Sequence, residues 1–199
     1  MYDNLIPTTE LEATNALLEQ IGEAPVSSLD DLSLDAASAQ NTLNRVSREV
    51  QAKGWHWNTT FRRLTADGNG EFILPLNTIS VDTVNVSQHI NVTQRDGKLF
   101  DRRPFYNTSV FTEATVEIKL TELLAFTALP ECARQYIYIR AARQYQEFNL
   151  GAGTISQFSA DDEYEARATV LDDELDAGDY NLAEGSKALA RFPVGFRRF

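Results

Sequence analysis

The sequence is poor in the residues on which most covalent and metal chemistry depends. It contains one cysteine, Cys132, and two histidines, His56 and His89. A single cysteine excludes an intrachain disulfide and argues against a zinc framework. These three residues could be combined into a metal site or a nucleophile set, but their spacing fits neither pattern. Since a phosphate-binding loop and a Gly-x-Ser-x-Gly motif are also lacking, we predict no catalytic, metal-binding or cofactor-binding residues.

Long apolar runs are absent as well. No stretch reaches the ~18 consecutive apolar residues of a membrane span. No basic region precedes an apolar block near the first residue, so we expect no signal peptide, no membrane insertion and synthesis in the cytosol. The chain has 199 residues, of which 43% are hydrophobic. That is enough for one or two domains with a core that needs no disulfides.

Positive charge is scarce except near the C-terminal end. The net charge is −11 at pH 7, and an acidic chain binds nucleic acid poorly because affinity for phosphate depends on lysine and arginine. Residues 182–199 differ, since they carry four cations and one carboxylate. Arginine and phenylalanine are common at protein interfaces, so this composition favours a protein-docking segment over a weakly basic nucleic-acid arm. The docking candidates are Arg191, Phe192, Phe196, Arg197, Arg198 and Phe199.

Residues 33–58 predict a long amphipathic helix followed by two tryptophans. Ser33 is a typical N-cap, and Gly54 suits the left-handed position after a helix. The apolar face, with spacings of three and four, consists of Ala36, Ala39, Leu43, Val46 and Val50. The opposite, polar face contains Gln40, Asn44, Arg48 and Gln51. Trp55 and Trp57 then alternate with the period of a strand, which predicts two indoles on one strand face.

Three further helices are predicted from caps and periodicity. The first begins at Thr8 or Thr9 and stops at Gly22, and the third begins near Pro130 with apolar lines on two sides. The fourth begins at Ser159, has three carboxylates in its first turn and ends near Gly178. Its predicted buried stripe consists of Tyr164, Ala168, Leu171 and Leu175.

Between the second and third helices the pattern becomes that of antiparallel strands. Glycine-containing turns at residues 66–70 and 95–97 predict hairpins. Residues 79–86 break phase between Val81 and Val84, which indicates a bulge, and residues 115–120 form the clearest strand. We therefore predict an α+β fold. A four-helix bundle domain (8–54 plus 129–178) carries an inserted antiparallel β-domain (55–121), and an extended basic and aromatic tail (179–199) follows.

The two tryptophans have both a structural and a functional interpretation. Trp55, next to Gly54, is expected to be a core residue at the junction of the two domains, where a helix meets a sheet. Trp57 is equally consistent with a core position and with an interface to a partner, because tryptophan is enriched at binding hot spots.

Adjacent carboxylates keep an enzymatic alternative open. The pairs are Asp30/Asp31, Asp161/Asp162 and Asp172/Asp173. A glycan hydrolase needs two carboxyls about 5–10 Å apart across the scissile bond. Sequence neighbours do not specify that geometry, and helix starts or solvated surface explain these pairs more simply.

Several short segments, in order, resemble one known family. They are residues 21–29, 35–37, 43–44 with Arg48, 54–58, 99–102, 129–134, 141–144 and 178–181. Together they resemble the tail tubular protein A family, the head-to-tail adaptors of short-tailed, podovirus-type phages. Trp57 departs from the phenylalanine expected there.

The resemblance implies a structural protein of the virion tail, without catalytic residues. It implies a ring of about twelve subunits between the portal and a nozzle of the tail tubular protein B type, a closed homo-oligomer. Tail fibres would attach near its lower rim, and DNA would pass through the bore without specific binding. An acidic wall suits such a conduit because it repels phosphate. The rival interpretation is a tail-associated glycan hydrolase.

Overall fold

The structure is a computed structural model that describes residues 7–30, 33–151 and 160–177. Within these residues the fold is α+β, with four α-helices and two antiparallel sheets. The helices are α1 (Glu10–Gln20), α2 (Leu34–Gln51), α3 (Glu131–Leu150) and α4 (Ala160–Ala177). The strands are β1 (Thr59–Thr65), β2 (Thr78–Thr83), β3 (Val92–Arg95), β4 (Lys98–Asp101) and β5 (Thr115–Glu122).

The first three helices begin where their capping residues predict. Thr9 and Glu12 form a reciprocal capping box at α1, which satisfies two backbone donors that the helix leaves free. The Ser33 hydroxyl accepts a hydrogen bond from the N–H of Ala36 at 3.2 Å. Pro130 immediately precedes α3, where its missing N–H has no cost. Local chemistry therefore sets these boundaries.

The helices share one apolar cluster, centred on α3. The predicted stripe of α2 is buried along its whole length, from Ala36 to Val50. Helix α3 contacts α1, α2 and α4, and its Tyr136, Ile137 and Tyr145 are almost inaccessible to solvent. Trp55 and Leu129 complete this cluster from the adjoining segments.

The strands form a second apolar cluster of their own. In the three-stranded sheet β5 lies between β1 and β2 and is antiparallel to both. Strands β3 and β4 form the predicted hairpin, and its turn has positive φ at Asp96 and Gly97, as a tight hairpin requires. The buried residues are Phe72, Leu74, Ile90, Val92, Leu99, Phe111, Val116, Ile118 and Leu120.

The hairpin predicted across residues 66–70 is wrong. The turn exists, since the Asp67 carboxylate accepts from the N–H groups of Asn69 and Glu71. However, β1 pairs with β5 along its whole length, and Ile73 instead forms an isolated bridge with Lys98. A satisfied turn does not determine which strands pair, because the apolar faces decide that.

The phase break in β2 is also elsewhere than predicted. The register shift lies between Thr78 and Ser80, and the strand ends at Thr83. A short 3₁₀ turn, Asn85–Ser87, follows, and Val86 is exposed. Val86 therefore lies outside the strand, which is shorter than the predicted range 79–86.

Among the helices, α4 differs most from the prediction. The predicted stripe is exposed, with 73% of Tyr164 and 59% of Leu175 accessible. The helix packs on α3 through Val170, Ala166 and the carboxylate of Glu163. Phe148, which continues one of the two apolar lines predicted for α3, is likewise exposed. Partly buried ion pairs from Arg140 and Arg143 to Glu163 occupy part of the contact between α3 and α4, where periodicity favours apolar side chains.

Candidate functional site

The end of α2, the tryptophan turn and the end of β5 meet at one junction. Trp55 is 6% exposed, and its indole N–H donates to the carbonyl of Val50 at 2.8 Å. The next residues form a 3₁₀ turn, His56–Asn58, so the predicted strand through the tryptophans is wrong. Asn58 is the cause, because its side-chain oxygen accepts from the N–H of Trp55 at 2.8 Å and closes the turn.

Gly54 has the left-handed conformation predicted for it, with φ +74°. It also lies close to the sheet, because a Cβ there would stand 3.1 Å from the hydroxyl of Thr121. The backbone conformation and the limited space both require glycine. Helix α2 can therefore end directly against β5.

Trp57 stacks on Trp55 with ring centroids 6.2 Å apart and planes at 10°. It is half-buried and packs against the helical cluster. Its indole nitrogen is buried without a hydrogen-bond partner among the described residues. A role of Trp57 in docking, and of Trp55 and Gly54 in joining two domains, stays a prediction.

Two buried amides, missed by the sequence analysis, connect the helices to the sheet. Gln51, predicted on the solvent face of α2, is fully buried. Its side chain donates to the carbonyl of Leu124 at 3.0 Å and accepts from the N–H of Leu124 at 2.8 Å. The side-chain nitrogen of Asn58 donates to the carbonyls of Gln51 and Glu122. Every one of these groups is satisfied, which makes the junction specific as well as stable.

A polar cluster attaches α4 to the tryptophan turn. The Glu174 carboxylate accepts from the backbone N–H of His56 and lies 2.8 Å from its ring nitrogen Nδ1. Asp173 lies 3.7 Å from the other ring nitrogen and contacts Cys132. Burial and the charge of Asp173 raise the pKa of the Cys132 thiol, so the thiolate needed for nucleophilic chemistry is disfavoured.

The arrangement of this cluster favours a structural role, in which it holds α4 against the tryptophan turn, over catalysis or metal binding. Cys132 reaches the histidine only through Asp173, and not by a direct thiol–imidazole contact. Within the described ranges, histidine, cysteine and carboxylate side chains do not form a group of three or more that could hold a metal ion.

The carboxylate pairs of the enzymatic alternative lie mostly on α4. Asp161 and Asp172 are exposed, while their neighbours Asp162 and Asp173 are half-buried, since adjacent residues on a helix face different directions. Asp31 lies outside the described residues. Three surface depressions, of about 920, 310 and 250 Å³, contain one carboxylate residue each, Glu147, Glu10 and Glu117.

A loop beyond β4 carries an exposed aromatic residue that the sequence analysis did not single out. Phe105 is fully exposed and has φ +73°, a rare conformation for a bulky residue. The loop is held by Arg103, which binds the buried Asp101 and Glu113 and lies over the Tyr106 ring at 4.4 Å. Exposed aromatics on preorganised loops are typical of protein interfaces.

The acidity of the chain is concentrated rather than spread. Residues 160–177 contain eight carboxylates and one arginine, whereas residues 55–121 contain seven acidic and seven basic residues. The strand-rich part is therefore neutral, and α4 is the most acidic element. All predicted docking residues of the basic segment, from Arg191 to Phe199, lie outside the described residues.

Comparison with known proteins agrees with a structural role. A model of the tail tubular protein family matches residues 11–180. The chain belongs to the tail tubular protein family. Tail tubular protein A of Klebsiella phage KP34 is 28% identical to it over 142 residues, which cover 71% of this chain and 74% of the relative. The resemblance predicted from short segments is thus confirmed.

Membership in the tail tubular protein family makes this chain a structural component of a phage tail, located in the tail of the virion. None of the helices in the described part combines the length and apolar character that crossing a bilayer requires. The family points to a structural protein rather than an enzyme.

Proposed function

We propose that the chain is the head-to-tail adaptor subunit of a short-tailed, podovirus-type phage. About twelve copies form a closed ring, as expected for a heterologous interface whose rotation closes. The ring lies between the portal and a nozzle of the tail tubular protein B type, tail fibres attach near its lower rim, and DNA is ejected through its bore into the host. The family match over residues 11–180 carries this proposal.

The charge of the chain supports a conduit for DNA. A wall that guides DNA without holding it should repel phosphate. The net charge of −11 provides this repulsion, and the four cations of residues 182–199 are confined to one segment. DNA therefore passes the ring without specific binding.

The two apolar clusters support a division into two domains. The helical cluster draws on segments before and after the strands, and the strand cluster draws on residues 72–120. We assign residues 8–54 plus 129–178 to a four-helix bundle domain on the portal side and residues 55–121 to an inserted β-domain on the tail side. Trp55 and Gly54 lie at their junction.

The basic and aromatic segment is the proposed docking tail. Its arginines and phenylalanines bind the portal or a neighbouring subunit. Truncation after Asn181 should abolish docking on purified portal while the far-ultraviolet circular dichroism spectrum stays unchanged. Docking of the truncated chain at full strength would refute the role of this segment.

Negative-stain electron microscopy of the purified protein, with and without portal, tests the adaptor proposal directly. We expect ring-shaped particles that sit coaxially on the portal. A particle that neither forms rings nor binds portal would contradict the proposal. Release of sugars from host capsule, lost on changing one carboxylate, would instead establish the glycan hydrolase.

A further inference from the structure

Helix α4 presents an unpartnered apolar stripe to solvent. Tyr164, Ala168, Leu171 and Leu175 follow the spacing i, i+4, i+7, i+11, which puts them on one helical face. The three large side chains are 73%, 41% and 59% exposed, in chain order. Scattered exposed apolar residues need no explanation, but a continuous stripe of four positions on one helix does.

A row of carboxylates runs beside this stripe. Asp161, Glu165, Asp172 and Asp176 are all exposed, and their spacing puts them on the adjacent face of the same helix. None of the four forms an ion pair with any residue in the described ranges. The surface of α4 thus combines an apolar line with a parallel line of unneutralised negative charge.

The packing of α4 on α3 keeps this surface turned outward. Glu163 accepts hydrogen bonds from Arg143 at 2.7 Å and Arg140 at 3.3 Å, and Val170 is fully buried against α3. At the other end Glu174 holds the tryptophan turn. Because both ends and the middle are fixed, the helix cannot rotate to bury its stripe.

The complementary chemistry occurs in one segment of this chain. Residues 187–199 contain Lys187, Arg191, Arg197 and Arg198, interleaved with Leu189, Phe192, Val194, Phe196 and Phe199. They contain no carboxylate side chain. An apolar and cationic peptide is the partner that an apolar stripe beside four carboxylates fits.

We propose that residues 187–199 dock on the exposed stripe and carboxylate row of α4 in their own chain. The connection favours the same chain, because residues 178–186 join α4 to the segment and hold it at high effective concentration. These connecting residues include two glycines and an asparagine, which suit a reversal of chain direction.

This inference concerns the free subunit and does not depend on the adaptor proposal. A segment stored on α4 remains available to the portal, since a portal surface that binds it more tightly would displace it. Docking on the portal and docking on α4 are then alternative states of the same residues.

Photocrosslinking in the full-length chain tests the proposal. A photoreactive benzophenone amino acid replaces Leu175, and a control chain carries it at Asn69, which is exposed in the 66–70 turn and belongs neither to the stripe nor to the carboxylate row. Copies with ordinary nitrogen are mixed with ¹⁵N-labelled copies before irradiation. Mass spectrometry of crosslinked peptides then shows which residues are joined and whether both belong to one chain.

We expect crosslinks from position 175 to residues 187–199 with one isotope on both sides, and few from position 69. Asp172→Lys with Asp176→Lys should lower the yield about fivefold, as for two exposed ion pairs, and adding Arg197→Glu with Arg198→Glu should restore it. Crosslinks between isotopes would overturn docking within one chain. Crosslinks to other segments would overturn the assignment of residues 187–199 to this surface. A crosslinking yield that charge reversal leaves unchanged would overturn it as well.

Discussion

The side chain of Gln51 forms two hydrogen bonds with the backbone of Leu124, one donated at 3.0 Å and one accepted at 2.8 Å. Leu124 lies just after β5, where its N–H and C=O have no neighbouring strand to pair with. The side chain of Gln51, at the end of α2, takes the place of that strand. Because the Gln51 side chain is fully buried, water cannot replace either hydrogen bond if it is lost. The pairing therefore fixes the position of the sheet against the helices.

Gln51→Leu should destabilise the protein by about 2 to 4 kcal/mol, because the partly buried N–H and C=O of Leu124 would lose their partners. Urea denaturation followed by tryptophan fluorescence measures the change. Gln135→Ala on the exposed face of α3 is the matched control, expected to stay within about 0.5 kcal/mol of the parent. Equal effects of the two changes would show that the Gln51–Leu124 bonds contribute nothing specific.

Trp55→Ala should cost about 3 to 5 kcal/mol, since it empties a buried site and leaves the carbonyl of Val50 without its indole donor. Trp57→Ala should cost less, because Trp57 is only half-buried. Thermal denaturation of the monomer compares the two, and electron microscopy scores ring formation. A near-neutral Trp55→Ala that fails to form rings would move Trp55 from the core to a subunit interface.

Gly54→Ala and Gly22→Ala form a matched pair for the close approach of α2 to β5. Both glycines have positive φ, but a Cβ at Gly22 meets open space whereas one at Gly54 meets Thr121 at 3.1 Å. The strained backbone costs both variants about 1 to 2 kcal/mol. Gly54→Ala should lose about 1 to 3 kcal/mol more through overpacking. Identical free energies of unfolding for the two variants would mean that the Thr121 side chain moves aside without an energetic penalty.

The Glu71–Lys98 pair predicts an acid dependence of stability. The hydrogen bond from Lys98, at 2.6 Å, and then that from Ser109 hold the pKa of Glu71 below its ordinary value of 4.5. The folded state therefore binds its proton less readily than the unfolded state. The resulting stabilisation is present above pH 4.5 and is lost as the pH falls through the lowered pKa.

Glu71→Gln should flatten the decline of the urea midpoint below pH 4.5, while the control Glu19→Gln, at an exposed position of α1, should leave it unchanged. The same pair raises the pKa of Lys98, so its stabilisation is also lost as the pH rises through that raised value. An identical acid profile for Glu71→Gln and the parent chain would contradict this assignment.

Local signals predicted element starts well, and long-range pairing poorly. Thr9, Ser33 and Pro130 mark the helix starts because capping chemistry lies within a few residues of each boundary. The partner of β1 could not be predicted from the 66–70 turn, because that partner is β5, which is distant in sequence (Thr115–Glu122). The apolar side chains of α4 face outward because Glu163 on another face of the helix forms ion pairs with Arg143 and Arg140. Hydrophobic periodicity gives no information about such ion pairs.

The junction shows the same limit for single residues. Trp55 could be predicted as a core residue from its size and its place after Gly54. Gln51 could not, because polarity alone assigns it to the solvent, and its partner is separated from it in sequence by the whole strand region. A buried amide becomes predictable only when the backbone groups it must satisfy are known.

The position of β5 between β1 and β2 also determines the order of events during synthesis. Both earlier strands leave the ribosome with unpaired backbone groups and must wait for residues 115–122. The α1–α2 pair waits longer, because Tyr136 and Ile137 of α3 fill its core. The nascent chain therefore exposes its apolar strands to aggregation or to chaperones until residues 115–122 have been translated, and an incomplete helical core until α3 has been translated.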